Sequence, residues 1–118
     1  DQMSIKEIGS ALRKTSRLCR DLKIDKKEFF GGSMTISSLG GIGGTFFTPI
    51  INPPEVAILG VGKSFDRLVK VNDKFVSRKI LPISLSYDHR IIDGAEGARF
   101  CVYLGKCLGK DFAFKLAV

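Results

Sequence analysis

Three observations in this chain predict an α/β layer fold with a mixed sheet. A capped amphipathic helix opens it between Ser4 and Leu22. A run that is apolar on both alternating faces, Val56 to Val61, reads as a strand covered on both sides. A strand pattern ending at Tyr87 then gives way to a helical pattern from Asp93. The resulting order of helix, strand, strand, hairpin, strand and helix places a sheet and helices in layers. The chain has 118 residues and forms one domain at most.

In the first helix, Ile5, Ile8, Leu12, Thr15, Cys19 and Leu22 recur at spacings of three and four, which puts them on one stripe. Ser4 and Glu7 form a capping-box pattern at its start, able to satisfy exposed amides. Lys23 to Phe30 reads as a charged connector. Ser33 to Ser38 has strand propensity and runs into the glycine-rich Gly40-Gly41-Ile42-Gly43-Gly44. That run lacks a following Gly-Lys-Ser/Thr and a helix, so it does not fit a phosphate-cradling loop.

Leu68 to Val71 and Lys74 to Val76 flank Asn72-Asp73 and predict a hairpin. In the long strand that follows, Leu81, Ile83, Leu85 and Tyr87 point one way and Pro82, Ser84 and Ser86 the other. Pro82 has no amide donor and so predicts an edge position or a bulge. Asp93 and Glu96 can cap a helix running to about Leu108, with Phe100, Cys101, Leu104, Cys107 and Leu108 as its buried face. Lys110 to Val118 reads as a short apolar end piece.

Composition narrows the function classes. Apolar residues make up 44% and charged residues 26%, an ordinary globular balance. Cys19, Cys101 and Cys107 fall within helical patterns, so reduced thiols in a reducing compartment are expected. No Cys-x-x-Cys or Cys/His cluster suggests a metal site. No apolar run reaches membrane-spanning length, and no signal peptide is expected at the start. The net charge of +7 raises a nucleic-acid reading. The basic residues are dispersed, however, and Arg13, Lys14, Arg17 and Arg20 share much of one helix face as a solvated surface does. No nucleic-acid partner is expected.

Chemistry concentrates in Ser84-Leu85-Ser86-Tyr87-Asp88-His89-Arg90-Ile91-Ile92-Asp93-Gly94, which holds the only histidine of the chain. A neutral imidazole beside carboxylates is equipment for general-base work near neutral pH. A lone histidine is more often a structural hydrogen-bonding group than a catalyst, and the residues taken alone leave both readings open. Asp93 reads as a helix cap, Ser37 as a strand-end residue serving a local amide, and Asp88 with Arg90 as structural ion pairs or orienting groups of the turn. Gly94 allows close approach of the chain at the helix start.

Three strings tip that balance. Ser-Tyr-Asp-His-Arg-x-x-Asp-Gly resembles the active-site signature of the 2-oxo acid dehydrogenase acyltransferases, and His-x-x-x-Asp-Gly marks the chloramphenicol acetyltransferases of similar fold. Gly31 to Gly41 resembles that family's Gly-Gly-x-Phe-Thr-Ile-Ser-Asn/Ser-Leu-Gly segment, and Pro49 to Gly60 its Pro-Ile-x-Asn-x-Pro-Glu-x-Ala-Ile-Leu-Gly segment. They stand in family order and cover nearly the whole chain.

The resemblance implies a chloramphenicol acetyltransferase-like fold, with helices packed on one face of the mixed sheet. It makes residues 1–118 the C-terminal part, about half, of a catalytic domain, with the lipoyl and subunit-binding domains absent. The implied enzyme is a dihydrolipoamide acyltransferase, moving an acyl group, acetyl first, between dihydrolipoamide and coenzyme A. Coenzyme A is then a substrate, the lipoyl group arrives on a separate domain, and no metal takes part. His89 is the implied base and Ser37 the implied hydroxyl donor to the oxyanion. The residue matching Asp93 lies in the family's active site and is Asn in some members, so hydrogen bonding and positioning are expected of it. Implied partners are further copies of the chain, as trimers with His89 of one facing Ser37 of the next. Those trimers join into cubic or dodecahedral shells through apolar residues from Phe112 to Val118. The dehydrogenase and dihydrolipoamide dehydrogenase components complete the complex, in the cytoplasm of a bacterium or the mitochondrial matrix of a eukaryote. Two alternatives stay open: a catalytically incomplete fragment or scaffold serving core assembly, and a succinyl or branched-chain acyltransferase.

Overall fold

Capping chemistry sets the first boundary. In the computed structural model, which describes residues 2–109 and Phe112, Ser4 caps helix α1 (Ile5–Arg20). The Ser4 hydroxyl accepts from the Glu7 amide at 3.3 Å, and Glu7 Oε2 accepts from the Ser4 amide at 2.7 Å. Hydrogen bonds from Ser4 to the Glu7 carboxylate hold its pKa below the ordinary value. The helix stops two residues short of the expected Leu22. Leu22 adopts a left-handed φ of 54°, its amide donates to the Cys19 carbonyl, and the Lys23 amide donates to the Leu18 carbonyl. That is a Schellman closure with leucine where glycine is usual, so Leu22 leaves the apolar stripe and faces solvent. The charged connector holds one turn of 3₁₀ helix, Lys26–Phe29, started by the Asp25 carboxylate on the Lys27 amide.

The described residues divide into two units, 2–32 with 106–109 and 112, and 33–105. The second holds the sheets. Strand β1 (Met34–Ser38) pairs parallel with β2 (Ala57–Val61). Strands β3 (Phe65–Val71) and β4 (Lys74–Ile80) form a separate hairpin. Strand β5 (Ile83–Tyr87) pairs antiparallel with β2, giving the order β1-β2-β5. The sheet is mixed, as expected. The central strand is its most covered part: Ala57, Ile58 and Leu59 are 6%, 7% and 7% exposed.

The hairpin turns at Asn72 and Asp73, both at positive φ, the conformation a two-residue type I′ turn requires. It is longer than expected, beginning at Phe65 and ending at Ile80. Pro82 lies between β4 and β5 and not within a strand, correcting the expectation of one continuous run from Leu81. Its carbonyl accepts from the Gly62 amide at 3.0 Å, but it has no N–H to give. The strand therefore begins at Ile83, where donors resume.

Helix α2 (Gly94–Cys107) follows β5. Cys101, Leu104 and Cys107 are half-buried, while Phe100 and Leu108 are exposed, against expectation. The buried residue of α2 is Gly97, because a ring from the sheet occupies its face. The three cysteines are free thiols. The expected apolar contacts from Phe112 to Val118 lie outside the described residues, apart from Phe112.

Candidate active site

The end of β5 is pinned before the chain turns. The Asp88 amide donates to the Val56 carbonyl at 2.8 Å, one residue past the strand. The Ile91 and Ile92 amides then both donate to the Asp88 carbonyl at 3.0 Å, folding the next residues into a tight turn. Arg90 closes it from outside. Its amide donates to Asp88 Oδ1 at 3.0 Å, its Nε to Oδ1 at 2.9 Å, and its terminal nitrogen to Oδ2 at 2.6 Å. Held by the Arg90 side chain, the Asp88 carboxyl titrates down at about 2, and the guanidinium is raised in turn. Asp88 and Arg90 thus pair with each other across the residue between them, which is His89.

His89 is exposed at the head of this turn. Its imidazole lies beside the Tyr87 ring, with centroids 5.7 Å apart and planes tilted by 37°. A Cβ built on Gly94 would lie 4.0 Å from His89 Nε2 and 3.8 Å from the Tyr87 hydroxyl, so both polar tips hover over the start of α2. Asp93 caps that helix: its Oδ1 accepts from the Glu96 amide at 2.7 Å and its carbonyl from the Gly97 amide at 3.1 Å. Its carboxylate is committed to the helix start, in agreement with the cap reading.

Ser37 is placed elsewhere. It is half-buried on β1, in register with Gly60 of β2 and through it with Ser84 of β5. The row carrying Met34, Ala57 and Tyr87 lies three residues away. Three steps of a strand invert the face and cover roughly 10 Å, with two strand spacings adding roughly another 10 Å across. Two rings mark the opposite faces. The Phe47 ring covers Gly60, where a Cβ would lie 2.9 Å from it, on the Ser37 face. The Tyr87 ring packs under α2 on the other. One chain brings His89 and Asp93 to the same turn and leaves Ser37 on the far face of the sheet.

Two contributors were missed by the sequence reading: Tyr87 as an aromatic wall beside His89, and Gly97 as its seat. The signal was there, since Gly94 and Gly97 stand one helical turn apart just after an aromatic strand end.

A model of the 2-oxoacid dehydrogenases acyltransferase catalytic domain matches residues 1–113. The chain belongs to the 2-oxo acid dehydrogenase acyltransferase family. Among relatives in it, the dihydrolipoyllysine-residue acetyltransferase component of the pyruvate dehydrogenase complex from Cupriavidus necator is 51% identical over 95% of this chain and 20% of its own length. The component of the same name from Haemophilus influenzae is 52% identical over 92% of this chain and 19% of its own length. The chain thus spans about a fifth of these relatives.

Solved acyltransferase structures share the fold. Dihydrolipoamide acetyltransferase from Azotobacter vinelandii superposes with a TM-score of 0.89 at 47% identity, over 96% of this chain and 46% of that one. The cubic core of a pyruvate dehydrogenase multienzyme complex gives 0.89 at 46% identity with the same coverage. The A. vinelandii work concerns a serine, a histidine and an asparagine in the catalytic mechanism of that enzyme. In that chain the three stand at the same intervals as Ser37, His89 and Asp93 in this acyltransferase-family sequence.

The Asp88–Arg90 clasp has a pH signature. A carboxyl whose folded pKa is depressed contributes stability fully present above its ordinary value of 3.8 and lost as pH falls through about 2. Asp88→Asn is therefore expected to lower the unfolding midpoint at pH 7, with the difference from the parent shrinking toward zero near pH 2. Thermal melts across that range check it; a difference that stays constant with pH would show that the charge on Asp88 does not hold the turn.

Proposed function

We propose that the protein transfers an acetyl group between dihydrolipoamide and coenzyme A, as part of the core of a pyruvate dehydrogenase complex. The observation that carries this is the half-identity to acetyltransferase components of such complexes, with the sole histidine held at the β5–α2 turn. The acetyl reading is favoured over succinyl or branched-chain groups because the relatives in C. necator and H. influenzae are both acetyltransferase components. A scaffold without turnover is disfavoured by the joint presence of His89, Asp93 and Ser37.

The chemistry follows from the groups. A thiol of ordinary pKa, about 8.5, is mostly protonated near neutral pH and is a weak nucleophile. His89 takes that proton as the coenzyme A sulfur attacks the thioester carbonyl of acetyl-dihydrolipoamide. A carbon–sulfur bond forms, and the carbonyl electrons move to oxygen. Ser37 donates a hydrogen bond to the resulting oxyanion. On collapse the bond to the lipoyl sulfur breaks, and His89 returns the proton to the departing thiolate. Asp93 holds the start of α2 in place beneath the imidazole.

Because Ser37 and His89 lie on opposite faces in one chain, the complete site is formed between copies, His89 of one and Ser37 of the next. A trimer supplies three such sites, and trimers assembling into a larger shell fit the likeness to a cubic core. The lipoyl group reaches the site on its own carrier domain, loaded by the dehydrogenase component and reoxidised by the dihydrolipoamide dehydrogenase component.

Transfer from acetyl-coenzyme A to dihydrolipoamide, measured beside light scattering for size, tests the reading. The expected result is acetyl turnover by a particle whose copy number is a multiple of three. Faster turnover with succinyl- or branched acyl-coenzyme A would overturn the acetyl assignment, and a monomer would overturn the shared site.

A further inference from the structure

A general base works only when one ring nitrogen faces the proton it removes, and a solvent-facing imidazole on two free torsions does not hold such an orientation by itself. What the structure sets against the His89 imidazole is an aromatic wall. The Tyr87 ring lies 5.7 Å from it, centroid to centroid, at a tilt of 37°. Tyr87 itself is not free to move. Its backbone is the last residue of β5, in register with the buried Ala57, and the next amide is tied to Val56. Its ring is seated on Gly97, where a Cβ would lie 2.8 Å from Cε1 and 3.1 Å from Cζ, closer than packed side chains tolerate. Only a glycine-sized residue leaves the ring in that position without displacement. The sequence therefore links three things in a row: a strand end, a ring lodged against a helix, and an imidazole leaning on the ring.

We infer that Tyr87 is a positioning residue for the base: its ring, seated on Gly97 of α2, fixes the orientation of the His89 imidazole. This rests on the reading of His89 as the base. The positioning is assigned to the ring face and not to the hydroxyl, because the two side chains meet as a tilted pair of rings with centroids 5.7 Å apart. Ring face and hydroxyl can be separated. Tyr87→Phe keeps the plane and drops the hydroxyl; Tyr87→Leu keeps apolar bulk on Gly97 and drops the plane.

The test compares acetyl transfer by full-length Tyr87→Phe, Tyr87→Leu and Tyr87→Met cores with the parent, with His89→Ala alongside. Tyr87→Phe is expected to keep kcat within about threefold of the parent. Tyr87→Leu is expected to lose about tenfold or more in kcat with KM for both substrates nearly unchanged, since misplacement of a reacting group acts on the chemical step. Carbethoxylation of His89, read by peptide mapping, should quicken in Tyr87→Leu and not in Tyr87→Phe. Parent-like kcat in an assembled Tyr87→Leu overturns the inference, and so does an equal loss in Tyr87→Phe, which would assign the effect to the hydroxyl. If Tyr87→Leu does not assemble, Tyr87→Met decides by the same criteria, and failure of both to assemble overturns it as well, because the ring would then serve the fold. An active His89→Ala would bring down the base reading together with the inference; an inactive one beside a fully active Tyr87→Leu brings down the inference alone.

Discussion

Replacing His89 with alanine is expected to lower acetyl transfer by about a hundredfold or more, with circular dichroism and particle size unchanged. The expectation is built from the turn. The Asp88–Arg90 clasp, the paired Ile91 and Ile92 amides on the Asp88 carbonyl, and the Asp93 cap shape the backbone without using the imidazole. Removing the ring should then remove chemistry and spare structure. Asparagine at the same position offers a polar group of similar reach that takes no proton near neutral pH, so His89→Asn should fall as far as His89→Ala. Steady-state rates with both substrates saturating check this. Retention of more than about a tenth of the parental rate in either variant would remove His89 from the role of base, because loss of a general base costs far more than one order of magnitude.

Local chemistry was legible in the sequence where neighbours in the chain satisfy one another. Ser4 with Glu7 and Asp93 with Glu96 are three residues apart, so their side chains find the orphan amides without help from distant parts. The Asn72-Asp73 turn was legible for the same reason. The alternation placing Ile83, Leu85 and Tyr87 on one side held, because all three pair in register with β2. The helix faces were harder to read. Phe100 and Leu108 have the spacing of buried residues yet are exposed, while Gly97, which carries no apolar side chain to count, is the buried one. Periodicity weighs side chains by their oiliness and cannot see that a ring from another element needs an empty position.

The site divides in the same way. His89 and Asp93 are four residues apart across one turn, and their nearness follows from the helix start. Ser37 depends on sheet register, which no local pattern encodes, and register puts it on the face away from Tyr87. The pairing of Asp88 with Arg90 was one of two readings left open, and only the geometry of the turn resolves it into a clasp around His89.

That separation of Ser37 from His89 leads to the second large effect. Ser37→Ala alone is expected to lower kcat about 100- to 1000-fold with KM nearly unchanged, since the oxyanion it serves exists only near the transition state. His89→Ala alone is expected to lose about a hundredfold or more, for the reason already given. Co-expressed, the two inactive chains should recover activity. In a ring whose sites each draw the histidine from one chain and the hydroxyl from its neighbour, a Ser37→Ala chain supplies an intact His89 and a His89→Ala chain supplies an intact Ser37. Random mixing makes roughly one site in four whole, so the mixed core should turn over at about a quarter of the parental rate, far above either parent alone. A site contained within one chain cannot be repaired this way, because every chain in the mixture still lacks one of the two groups. Mixed particles, purified through two different tags so that both chains are present, give the measurement. Activity no higher than the average of the two single variants would refute the shared site and place the oxyanion donor on the same chain as the base.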